Sequence, residues 1–74
     1  MLDPVEAARK YIESDDPSLA VYMCRDLQVT KDAGLTDLAW TLCNDGYCHK
    51  NDVKGFFELL DKYIEDQVMQ QWQD

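Results

Sequence analysis

Cys24, Cys43, Cys48 and His49 are the residues of this chain with the most reactive side chains. Thiolate and imidazole are the ligand types of tetrahedral zinc, and Cys43 to His49 spans a turn that a metal would close. The spacing argues against that use. Structural zinc sites pair their ligands about two to four residues apart, whereas Cys24 stands alone and His49 directly follows Cys48. Free cysteine is among the most buried residue types, so Cys24 reads as a small core residue and Cys43 and Cys48 as covered thiols beside a turn. Three is an odd number, which forbids a complete set of internal disulfides. The expectation is free thiols with no metal and no cofactor, and its rival is a zinc staple built from Cys24, Cys43, Cys48 and His49.

Catalysis finds little support. His49 is the only histidine, and no phosphate-cradling glycine loop, nucleophile elbow or paired-histidine motif occurs. A Cys48 nucleophile served by His49 would require sequence neighbours to point at each other, in a chain with little room for a closed pocket. A non-enzymatic role is expected.

Charge says more. Fifteen acids against seven Lys or Arg leave a net charge of −8, with acids distributed from Asp3 to Asp74. Such a surface repels nucleic acid and anionic lipid, so neither direct nucleic-acid binding nor membrane binding is expected. Towards the C-terminus, Glu58, Asp61 and Glu65 fall within about 60° of one another on a helix, on the side away from Phe56, Leu60 and Tyr63. Successive carboxylates there rise by about 4.5 to 6 Å, close to the spacing of phosphates along a strand. The row is either a solvated face, as the nearby Lys54 and Lys62 suggest, or a surface that imitates nucleic acid. Trp72 extends this acidic side, and Trp40 lies off the Leu35, Leu38, Leu42 stripe with Asp37 one turn before it. Aromatics beside acids resemble the hot spots of interfaces. The expected partner-binding residues are therefore Asp37, Trp40, Glu58, Asp61, Glu65 and Trp72. The expected role is an inhibitor or regulator docking on the basic surface of a protein, such as the nucleic-acid site of a DNA- or RNA-processing protein. The rival is a structural or adaptor subunit that forms a homodimer through the end of the last helix.

The elements that must position these residues are all helices. Asp3 and Pro4 read as N-cap and first position of a helix that ends near Ser14, and Asp16 and Pro17 repeat the device. The second helix, apolar nearly all round, is expected to be surrounded by others and to return to solvent at Arg25, Asp26 and Gln28, near Val29. Thr30 to Gly34 reads as a polar connection, unless Thr30 caps a helix starting at Lys31. A third helix follows from Leu35 and is stopped by Asn44, Asp45 and Gly46. From Asn51 the stripe of Val53, Phe56, Phe57, Leu60, Tyr63, Ile64 and Val68 marks the longest helix. The fold class is all-α, a compact bundle of four helices in a single domain spanning 1–74. Its expected core is Val5, Ile12, Leu19, Tyr22, Met23, Leu38, Leu42, Phe56, Leu60 and Ile64. The longest apolar run, Leu19 to Cys24, is six residues, far short of the roughly 20 that cross a bilayer. With no basic, apolar leader at Met1 to Pro4, a cytoplasmic location is expected.

Overall fold

Asp3 opens the first helix by accepting a hydrogen bond from the Val5 amide at 3.1 Å, and Pro4 takes the first helical position, where no N–H is needed. The computed structural model describes residues 3–44 and 48–72, and places α1 at Pro4–Glu13. Asp15 ends it in the left-handed region, φ 69°, while the Asp16 amide returns to the Tyr11 carbonyl at 2.9 Å. Asp16 and Pro17 then begin α2, Pro17–Cys24, although the Asp16 side chain makes no capping bond.

As its composition predicts, α2 is central, lying against α1, α4 (Thr36–Asn44) and α5 (Lys50–Trp72). It ends at Cys24, earlier than expected. The Cys24 carbonyl accepts both the Leu27 amide at 3.2 Å and the Thr30 hydroxyl at 2.7 Å, which tightens the chain into a turn there. Together the two donors satisfy a carbonyl that has no partner within α2 itself. The stretch read as a polar connection is thus a short helix, α3, Gln28–Asp32, in which Thr30 is fully buried inside the helix and does not cap its start. Gly34, at φ 74°, closes α3: its amide bonds the Lys31 carbonyl and the Leu35 amide bonds the Thr30 carbonyl, both at 3.1 Å. This pair of returning bonds needs a left-handed residue, which glycine supplies without strain. Asn44 is the last residue of α4, and Asp45 and Gly46, expected to stop it, lie outside the described residues.

The fold is the expected all-α bundle, its four longer helices joined by α3. Phe56, Leu60, Val21 and Val53 are the largest apolar side chains fully buried, and Phe56 meets Phe57 edge to face at 5.3 Å. Val5 is buried, and Ile12, Leu42 and Ile64 pack half-buried against this core, while Leu19 is half-buried. Three expected core residues are instead exposed: Tyr22 at 56%, Met23 at 36% and Leu38 at 37%. Ala8, Ala20 and Ala39 are fully buried. Such small residues let helices approach closely, leaving the bulky neighbours Tyr22, Met23 and Leu38 at the rim. The inward face of α4 runs through Ala39 and Leu42, continued by Leu35 just before the helix. At about 1.5 Å per residue α5 is about 34 Å long and α1 about 15 Å, so α5 outruns the bundle.

Candidate protein-docking site

Ile64 is the last residue of α5 to pack on the core, and every described residue from Glu65 to Trp72 is exposed. Gln67 and Gln71 continue the inward side of α5 where no helix lies beneath it. Trp72 is 85% exposed, and Val68 and Met69 are exposed beside it. Along the helix Asp61, Glu65, Val68 and Trp72 fall within about 60° of one another, so about three turns present one mixed acidic and apolar side. Glu58 and Glu65 are exposed and join no ion pair among the described residues.

Asp61 behaves differently. It is ion-paired with Arg9 of α1, whose guanidinium also lies 5.9 Å from the centroid of Phe57. The expected row of three carboxylates therefore has its central charge matched internally. Glu58 and Glu65, about 10 Å apart along the axis, no longer keep the spacing of phosphates. Beside this ion pair an open groove of about 290 Å³ separates α1 from α5. Its floor is Ile12 and Phe57, and Glu13, Lys54 and Glu58 stand around it with the Arg9–Asp61 pair.

Asp37 and Trp40 sit on α4, away from that row in the chain. Asp37 is exposed, and its backbone carbonyl accepts the Thr41 hydroxyl at 3.0 Å. Trp40 stacks on Arg25, whose Cζ lies 3.9 Å from the Trp40 ring centroid and 4.7 Å from that of Tyr22. Arg25 was expected to mark a return to solvent, yet its side chain is only 16% exposed and its Nε is buried with no hydrogen-bond partner among the described residues. Its guanidinium meets the Asp26 carboxylate at 3.5 Å and lies against the two rings, whose π faces attract a cation. Trp40 thus has a task inside the fold, fastening the end of α2 to α4. Neither arginine role was read from sequence, although a signal existed. Arg9 and Arg25 are the only arginines, and guanidinium stacks on rings where ammonium merely charges a surface. All five lysines are exposed.

The thiols are poorly disposed to react. Burial pushes the Cys24 thiol up to about 11, with the Asp3 charge adding to the effect and Arg9 opposing it. Burial also raises Cys43 and Cys48, the latter against a hydrogen bond with Ser18. A raised thiol is a protonated one at neutral pH. His49 is exposed, and among the described residues no three His, Cys, Asp or Glu side chains gather as a metal-binding group. No described helix is long and apolar enough to cross a membrane. No protein-family model, curated protein or solved structure matches the chain.

Proposed function

We propose that the protein acts by binding another protein, docking the acidic and aromatic side of α5 onto a basic surface. The observation that carries this reading is the free end of α5, where an almost fully exposed Trp72 stands in line with Glu65, whose carboxylate joins no ion pair among the described residues. The chemistry divides between the two residue types. Carboxylates steer a cationic partner and raise the association rate, while a tryptophan desolvated in a pocket slows dissociation. Occupying a basic surface is the work of an inhibitor or regulator, and nucleic-acid sites are surfaces of that kind. From Glu58 to Trp72 the sequence holds four acids and one lysine, a local charge of 1 − 4 = −3. A second copy would bring the same charge to the same place, which favours a basic partner over self-association.

Affinity capture with three baits in parallel tests the reading: the parent, a Glu58→Lys and Glu65→Lys double variant, and Trp72→Ala. A basic protein held by the parent, released by rising salt, lost to the double variant and shed faster from Trp72→Ala is the expected result. Equal retention on all three baits overturns it. A concentration-dependent mass that Trp72→Ala abolishes would transfer the surface to self-association.

A further inference from the structure

We infer that the groove between α1 and α5 is a second anchor point for the same partner, and that the partner segment is a basic amphipathic helix reaching from the groove to Trp72. The inference rests on the docking reading above and adds its geometry. Phe57 in the groove floor, Asp61 on its edge, and Glu65, Val68 and Trp72 beyond it fall within about 80° around α5. Groove and free end therefore lie along one straight side of one helix. The sixteen residues from Phe57 to Trp72 span about 22 Å, about four helical turns of a segment laid alongside.

The size of the groove says what enters it. At about 290 Å³ it is at the small end of ligand-binding cavities, and it is open to solvent along its length rather than enclosed. It suits one or two apolar side chains, with Ile12 and Phe57 beneath them. Charge says what surrounds those side chains. With Arg9 and Asp61 paired, Glu13 and Glu58 outnumber Lys54 around the groove and Glu65 lies on the line to Trp72; these three glutamates join no ion pair among the described residues, so cations on the partner complement them. Apolar side chains every three or four residues, with basic ones beside them, are the pattern by which a helix reads such a face.

The test uses the full chain and two designed 18-residue Leu/Lys/Ala helical peptides of equal charge. One carries leucines at both ends of its apolar side, and the other has alanines in place of the leucines at one end. Amide chemical shifts are followed during titration at 50 mM salt. The double-anchored peptide should perturb Ile12, Glu13 and Phe57 together with Val68, Met69 and Trp72, and bind at least tenfold more tightly than the single-anchored one. Shifts confined to residues 65–72, with equal affinity for both peptides, overturn the groove inference and leave the docking reading standing. Affinity that is unchanged for the Glu58→Lys and Glu65→Lys double variant and for Trp72→Ala overturns the docking reading, and the groove inference with it.

Discussion

Arg25 shows how much one side chain can hold in a small fold. Its guanidinium is sandwiched between Tyr22 and Trp40 and has little access to water. Lysine keeps the charge but lacks the flat, weakly hydrated surface that stacks. Arg25→Lys should therefore destabilise the fold by about 1 kcal/mol, read as a lower urea midpoint, while peptide docking at α5 stays intact. Loss of docking in that variant would mean that the Trp40 side of the molecule also touches the partner. Cys24 gives a second prediction. Its thiol is raised from 9.0 to about 11 by burial, so between those values the unfolded chain has released a proton that the folded chain still holds. Stability should fall as pH rises through that window, with a slope approaching about 1.4 kcal/mol per pH unit, and be indifferent to this group below it. In Cys24→Ala the alkaline decline should be shallower, whatever the variant's stability at neutral pH; unchanged slopes would mean that Cys24 is not the group responsible.

At the level of elements, α3 hangs on two local devices, the Thr30 hydroxyl on the Cys24 carbonyl and the left-handed Gly34. A methyl group at Gly34 would meet no atom within 4 Å, so Gly34→Ala isolates the backbone cost. It should destabilise by about 1 to 2 kcal/mol, and amide exchange in 28–35 should quicken first. The end of α5 should behave oppositely, because residues Glu65 to Trp72 cover no core. Ending the chain at Ile64 should leave the urea midpoint nearly unchanged and weaken docking of the double-anchored peptide at least tenfold. The boundaries of α1 and the start of α2 were legible because Asp-Pro pairs act locally, and Phe56 and Leu60 were legible because a long helix repeats its signal. Leu38 was misplaced because periodicity fixes an inward stripe only to within a residue; whether Leu38 or Ala39 faces inward depends on the helix across from it. The Arg9–Asp61 pair joins residues far apart in the chain, and no pattern along α1 or α5 announces it. For the same reason Asp61 looked like a free carboxylate.

Across the whole molecule, a net charge of −8 on 74 residues means that the folded surface repels itself. Its ion pairs, Arg9–Asp61 and Lys50–Asp15 among them, are surface pairs of the kind that add little. Raising salt from 10 to 300 mM should therefore stabilise the fold by screening that repulsion, seen as a higher thermal midpoint, while the same salt weakens docking to the basic peptide. Opposite salt responses in one sample would separate the charge that burdens folding from the charge that recruits a partner. The contrasting settings of the two tryptophans also have an optical consequence. Trp72, almost fully exposed, should emit as an indole in water, and covering the end of α5 should move that emission to the blue. Trp40 emits from against a guanidinium and should change when unfolding withdraws Arg25. The two indoles thus divide the signal between docking and folding, and Trp72→Phe and Trp40→Phe each leave a chain with a single intrinsic reporter for one of the two events.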